Sequence, residues 1–280
     1  MKFSLGYNTN GLAHHTLEQC IELCSKYGYQ GIAITLDTHH LNPLTSSKSE
    51  ILYIQKLLRS RSLRVVIETG GRFLLDIERK HYPTLLHFPG FEKRLFFLER
   101  ALEIADLLSA EALSFWSGIL PKEVSSEMAT ERLTDVFQQL LKKAHQYQIP
   151  LALEPEPGMF VETVAQGLSW TQKFQDPLFG LTLDLGHLEC VEPYPLEQHI
   201  ILAAPWIKNV HVDDIRHKQH EHLPLGEGSI DFVPLLKALE KISYSGLLAI
   251  ELSRNSHNGP EQMRCSKEYL ETLFQQHSIH

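Results

Sequence analysis

Short, nearly unbroken apolar runs alternate along the chain with longer stretches whose apolar residues recur every three or four positions. The runs are Phe3 to Tyr7, Gly31 to Leu36, Leu63 to Glu68, Ala112 to Trp116, Pro150 to Glu154, Leu181 to Asp184, Ile207 to His211 and Leu247 to Glu251. Several are apolar at successive positions, the pattern of strands covered on both faces. The stretches between them read as helices. Thr16-x-x-Gln19 is a capping box, and Leu17, Cys20, Ile21 and Cys24 follow at helical spacing. Leu133, Val136, Phe137, Leu140, Leu141 and Ala144 form one apolar stripe. Asp231 is placed as an N-cap with Pro234 in the first turn, and a last helix starts near Pro260 and presents Leu270, Leu273 and Phe274.

Eight strand–helix pairs in alternation predict an α/β fold with a parallel sheet. The number eight predicts closure into a (β/α)8 TIM barrel, a single domain over residues 1–280. The other arrangement, an open doubly wound sheet, lacks a G-x-G-x-x-G after the first strand. One connection is long: residues 69–90, after the third strand, carry Arg72, Arg79, Lys80 and His81. A loop of that length predicts a lid or a substrate-binding excursion.

The active site of such a barrel lies at the C-terminal ends of its strands. The fifth run ends in Glu154, the sixth in Asp184 with His187 just beyond, the seventh in His211 and the eighth in Glu251; the third also ends in a carboxylate, Glu68. Barrel geometry makes these ends converge. Carboxylates gathered in a partly dry pocket repel one another, and one takes up a proton unless a cation sits among them. Glu154, Asp184, His211 and Glu251 are therefore the expected ligands of a divalent metal ion. The oxygen-rich set suits Mn²⁺, Mg²⁺ or Co²⁺, with Zn²⁺ as a further candidate.

Charge and composition narrow the class. The formal net charge of -8 argues against a nucleic-acid partner, because phosphate contacts need a basic face. The segment MKFSLGYNTN does not read as a signal peptide, and no apolar run approaches the ~20 residues of a membrane span. The expectation is a cytoplasmic protein with no membrane partner. Cys20, Cys24, Cys190 and Cys265 form no C-x-x-C pair, so a zinc ribbon is not expected, and the first two read as small buried side chains.

The segments LALEPEPG (151–158), LTLDLGH (181–187), IKNVHVDD (207–214), LPLGEGSID (223–231) and AIELS (249–253) together resemble the xylose isomerase-like TIM-barrel superfamily. That group holds sugar phosphate isomerases and epimerases, ketose 3-epimerases, hydroxypyruvate isomerases, inosose-processing enzymes and the endonuclease IV type of DNA-repair enzyme. The resemblance spans essentially the whole chain and implies the same four ligands. Its epimerase branch implies a carbohydrate substrate and proton transfer through an enediolate. Glu154 and Glu251 would be the acid–base pair, and His187 and Arg216 would contact the sugar. Related barrels often pair, which implies a homo-oligomer.

The nuclease branch implies three zinc ions, histidines after the second and third strands and an Asp-x-His before the L-G-x-G turn. His39 or His40 could stand at the first of these places, but the third strand ends in Glu68 and Thr69 with no histidine and the segment before the turn reads His220-Glu221-His222, so the isomerase branch is favoured. A lyase or dehydratase acting on a cyclic polyol ketone would use the same enolate chemistry. Beyond the family pattern, Glu156 stands two residues past Glu154 and should point the same way on extended chain. Trp116 is placed to pack on a sugar face. Arg72, Lys80 and His81 on the long loop suggest an anionic substrate such as a sugar phosphate.

Overall fold

The computed structural model describes residues 3–279. Strands β1 (Ser4–Asn8), β2 (Gly31–Thr35), β3 (Arg64–Glu68), β4 (Leu113–Trp116), β5 (Leu151–Glu154), β6 (Phe179–Asp184) and β7 (Ile207–Val212) follow one another around the sheet. A hairpin, β8 (Asp214–Arg216) and β9 (Gln219–Leu223), leaves the sheet before β10 (Leu247–Ile250) closes it between β7 and β1. Every pairing within the barrel is parallel, and the hairpin is antiparallel. The expected (β/α)8 barrel is the observed fold.

The helices are α1 (Leu17–Lys26), α2 (Lys48–Ser60), α3 (Phe91–Leu108), α4 (Ser126–Tyr147), α5 (Val164–Phe174), α6 (Leu185–Val191), α7 (Glu197–Ala203), α8 (Phe232–Lys241) and α9 (Gly259–Gln276). Thr16 and Gln19 form the capping box of α1, and Asp231 caps α8 by accepting from the Val233 N–H. The stripe from Leu133 to Ala144 is buried in α4. Residues 69–90 contain neither helix nor strand, so the long connection is as expected. Two features were not expected: the β8–β9 hairpin, and two short helices rather than one between β6 and β7.

The period of two along each strand separates two cores. One set of alternate residues faces the helices, including Ile32 and Ile34 on β2, Leu151 and Leu153 on β5, and Val210 and Val212 on β7. The other set lies inside the barrel and forms a separate small cluster of Ala33, Val66, Ala112, Ala152, Leu247 and Ala249. Two residues further along the same face stand Thr35, Glu68, Ser114, Glu154 and Glu251. The barrel is thus packed with small apolar groups at its floor and lined with polar groups at its C-terminal mouth.

Past β7 the chain is shaped by Asp214. Its buried carboxylate accepts from the Ile215, Gly226 and Gly228 N–H groups at 2.9 Å each and from that of Ile230 at 3.2 Å. This draws the LGEGS turn against the hairpin. Gly228 passes so close that a Cβ there would overlap the carboxylate. Removing the acceptor leaves the buried Ile215 and Ile230 donors unpaired, each costing about 1–3 kcal/mol, while the more exposed Gly226 and Gly228 donors can turn to water. Asp214→Ala is therefore expected to destabilise the fold by about 2–6 kcal/mol, summed over the two buried donors. Urea unfolding against the unmodified protein measures it.

Candidate active site

A cavity of about 260 Å³ opens at the C-terminal mouth of the barrel. Glu154 ends β5, Asp184 ends β6, His211 lies in β7 and Glu251 directly follows β10. Each of the four offers a ligand atom within 4.8 Å of the others. His211 Nδ1 stands 2.9 Å from Glu251 Oε2, 3.2 Å from Glu154 Oε1 and 3.8 Å from Asp184 Oδ2. Its Nε2 faces the other way, 2.8 Å from Glu68 Oε1, and Asn209 Nδ2 donates to that same oxygen at 2.9 Å. Glu68 thus orients the ring and presents Nδ1 to the carboxylates, the arrangement common to metal-bound histidines.

The electrostatics of this group are unbalanced. Burial, with Glu251 and Glu156 nearby, pushes the Glu154 carboxyl well above the usual range, against the pull of His211. Burial opposes charge on His211, yet Glu68, Glu251 and Glu154 together raise its imidazole well above its ordinary value. Burial likewise opposes charge on Glu251, but His211 and a 2.7 Å hydrogen bond from Asn10 Nδ2 hold its carboxyl low. Glu154 and His211 are thus both shifted toward their protonated forms, which offsets the negative charge gathered here. Asp184 carries the clearest mark of a ligand. Its Oδ1 accepts from the His187 N–H at 3.0 Å, while Oδ2 is buried with no hydrogen-bond partner. Three carboxylates, one oriented imidazole and an orphaned carboxylate oxygen fit a divalent cation.

The remaining expected residues divide. Glu156, Trp116, Arg72, Lys80, His81 and His187 line the cavity together with Glu154, His211 and Glu251, while Asp184 lies behind them and lines a small adjoining pocket with His187. Glu156 does share the cavity with Glu154, and burial pushes its carboxyl up. Arg72 donates to the Ser253 carbonyl at 2.8 Å, fastening the long loop to the segment after β10. His81 packs against Trp116 with ring centroids 5.3 Å apart, and burial, with Lys80, Arg94 and Arg72 nearby, lowers it to about 3. Arg94 is buried beneath this loop, donating to the His81 and Pro83 carbonyls and lying 4.8 Å from the Trp116 ring. Arg216 is different. It is exposed on β8, bonds the Glu227 carbonyl and does not line the cavity, because the hairpin directs it away from the mouth.

Three residues at the site were not singled out from the sequence. Arg254 lines the cavity where Arg216 does not, and its Nη2 donates to the His220 carbonyl at 2.9 Å. Asn10 and Asn209 orient Glu251 and Glu68. Of these, Asn209 had a local signal: like Glu68, it lies on the inward face of its strand, two residues before His211. His220 and His222, noted in the sequence only where the nuclease branch has its Asp-x-His, enter the cavity from β9.

Among known proteins, the chain is similar over 98% of its length to an uncharacterized protein, MJ1311, of Methanocaldococcus jannaschii, at 29% identity and covering 90% of that protein. It is 21% identical to the L-ribulose-5-phosphate 3-epimerase UlaE of Escherichia coli, over 86% of this chain and 83% of that one. A solved structure of a protein named IOLI with a bound zinc atom matches with a TM-score of 0.79 at 19% identity, over 98% of this chain and 99% of its own. The model of the xylose isomerase-like TIM barrel matches residues 21–273. The chain belongs to the xylose isomerase-like TIM-barrel family.

Proposed function

We propose that the chain is a divalent-metal-dependent sugar epimerase or isomerase that moves a proton on the carbon beside a carbonyl. The observation that carries this reading is the pairing of Glu154 and Glu251 on one imidazole nitrogen at the cavity floor, next to the unpartnered Asp184 Oδ2. Binding a metabolite needs no second carboxylate at that place, whereas inverting a carbon by taking a proton from one face and returning one to the other uses two. The similarity to UlaE supports the same class.

Glu154, Asp184, His211 and Glu251 would hold the cation. When bound, it supplies a Lewis acid for the negative charge that develops on the oxygens of an enediolate. One of Glu154 and Glu251 takes the proton from the carbon α to the carbonyl, and the other returns one. Trp116 and His81 form an apolar wall suited to the face of a sugar ring or chain. Arg72, Lys80 and Arg254 line the same cavity, which favours a substrate with a phosphate or carboxylate at the end away from the reacting carbon. Burial, with Arg72 beside it, lowers the Lys80 ammonium, the strain an incoming anion would relieve.

Four outcomes are expected. In D2O, the protein with added Mn²⁺, Co²⁺ or Zn²⁺ should place deuterium α to the carbonyl of a ketose or ketose phosphate, followed by NMR. No exchange with any of these sugars would overturn the reading. Glu251→Gln keeps a ligating oxygen but loses a proton acceptor, so kcat should fall about 10²–10⁴-fold while metal content holds. Glu68→Gln disturbs the orientation of His211 and should weaken metal binding about 10–100-fold. The metal must also displace the protons that burial and crowding place on His211 and Glu154. Both groups are raised above their ordinary values, so metal affinity should fall as pH falls, and binding near neutral pH should release protons. Calorimetry in two buffers of different ionisation enthalpy measures that release.

A further inference from the structure

The C-terminal end of β1 and the short 3₁₀ turn after it, Thr9–Leu12, carry Asn8 and Asn10, and both residues line the cavity. Asn8 is 1% exposed, and its Oδ1 accepts from the Asn10 N–H at 3.1 Å and from the Thr35 hydroxyl at 2.6 Å. A backbone N–H only donates, so the atom it meets is the amide oxygen and the other end of the side chain is the nitrogen. That nitrogen, Nδ2, is buried without an acceptor. The same logic sets Asn10. An ionised carboxylate only accepts, so Nδ2 is the atom that meets Glu251 Oε1 at 2.7 Å, and Oδ1 is buried without a donor.

Two amides two residues apart thus leave one free donor and one free acceptor. Buried polar atoms without partners are few in folded proteins, and both of these belong to residues of one cavity. The backbone that carries them is fixed from both sides. Asn8 Oδ1 caps the turn, and the Thr35 N–H on β2 donates to Thr9 Oγ1 at 3.0 Å. Ser256 Oγ, on the segment after β10, donates to the Asn10 carbonyl at 2.9 Å. The two free atoms are therefore held in place before a ligand arrives.

The chemistry of the pair selects its ligand. An ionised phosphate or a ketone oxygen accepts but cannot donate, and an ammonium donates but cannot accept. An alcohol hydroxyl does both through one oxygen, accepting from Asn8 Nδ2 and donating to Asn10 Oδ1. Because Asn10 also holds Glu251, that hydroxyl sits one amide away from a carboxylate of the acid–base pair.

We propose that Asn8 and Asn10 form a subsite that reads one substrate hydroxyl, on the carbon next to the one that exchanges its proton. The inference rests on the epimerase reading of the cavity and adds a specificity determinant to it. A ketose bearing that hydroxyl is accepted and its deoxy analogue is rejected, because the analogue leaves both amides unpaired.

The test uses the full chain loaded with Zn²⁺ and labelled with ¹⁵N at asparagine. The probes are D-fructose, D-ribulose, D-fructose 6-phosphate and D-ribulose 5-phosphate, and the assigned side-chain amide signals are followed by NMR. At least one probe should move the Asn8 and Asn10 signals saturably. Asn8→Asp keeps the acceptor used by Thr35 and by the Asn10 N–H and removes the free donor. A hydroxyl has one hydrogen, which Asn10 Oδ1 takes, so the new carboxylate gains no bond from it. Half-saturation, followed in the variant on Asn10, should therefore weaken about 10–100-fold, with zinc content and thermal midpoint held. The weakening should be alike for the neutral sugar and its phosphate.

No movement of the Asn8 amide with any of the four probes overturns the proposal, and this reading needs no substitution. Equal half-saturation in the two proteins, or weakening confined to the phosphates, overturns it as well, since the latter is charge repulsion alone. Deuterium exchange is read separately. Exchange without movement of the Asn8 amide removes the subsite and leaves the epimerase reading standing. Saturable movement without exchange on any ketose does the reverse.

Discussion

Among the ionisable side chains at the mouth of this barrel, six form its acidic cluster: Glu68, Glu154, Asp184, His211, Glu251 and Glu156. Five are carboxylates, and His211 is the one group among them that can carry positive charge. Burying so much like charge is unfavourable unless it is neutralised by protons or a cation. His211 meets this constraint by touching carboxylates on both ring nitrogens, Glu68 at 2.8 Å on one side and Glu251 at 2.9 Å on the other. The remaining imbalance pushes protons onto Glu154 and His211. The rest of the molecule supports this cluster. The small residues at the barrel floor let the polar side chains above them converge, and the helices around the outside supply the apolar burial that the mouth lacks.

The adjacent acids Asp213 and Asp214 extend the site beyond the barrel proper. Asp213 lies against the Asp184–His222 side and so close to α6 that a Cβ on Gly186 would overlap it. Asp214 organises the LGEGS turn through backbone hydrogen bonds. Burial and the nearness of Asp184 push the Asp213 carboxyl well above its usual range. Two neighbouring residues thus do different work. One belongs to the electrostatics of the site, and the other fixes the path of the chain that delivers His220 and His222.

The legibility of these features in the sequence follows from their range. Strand ends are set by local apolar runs, so Glu154, Asp184, His211 and Glu251 could be placed together from the alternation of runs and helices. Caps such as Thr16 and Asp231 are equally local. The β8–β9 hairpin was not legible, because QHEHL carries no apolar alternation and owes its place to Asp214 and to the Arg254 contact some thirty residues on. For the same reason Arg216 was misplaced. Proximity in sequence to His211 suggested the cavity, but the hairpin turns that residue outward while Arg254, after β10, enters. Asn10 illustrates the general limit: its bond to Glu251 joins positions 241 apart, and nothing local marks it.

The loop over residues 69–90 ties these elements to substrate access. It has no regular structure, yet Arg72 holds it to Ser253 and Arg94 holds the His81 and Pro83 carbonyls from beneath. Burial lowers the Arg94 guanidinium to about 9, but it remains a cation at neutral pH and its charge is partly met by the faces of Trp116 and Phe97. A buried guanidinium placed under the wall of an acidic cavity gives that wall positive potential without exposing a flexible side chain to the ligand. Burial, with Lys80, Arg94 and Arg72 nearby, keeps His81 neutral, so it adds an apolar face rather than a charge. The cavity is therefore polarised: carboxylates and imidazoles at the barrel mouth, cations on the loop side. Under the proposed function, a small molecule with adjacent metal-binding oxygens and an anionic tail would match both ends, with its reacting carbon beside Glu154 and Glu251.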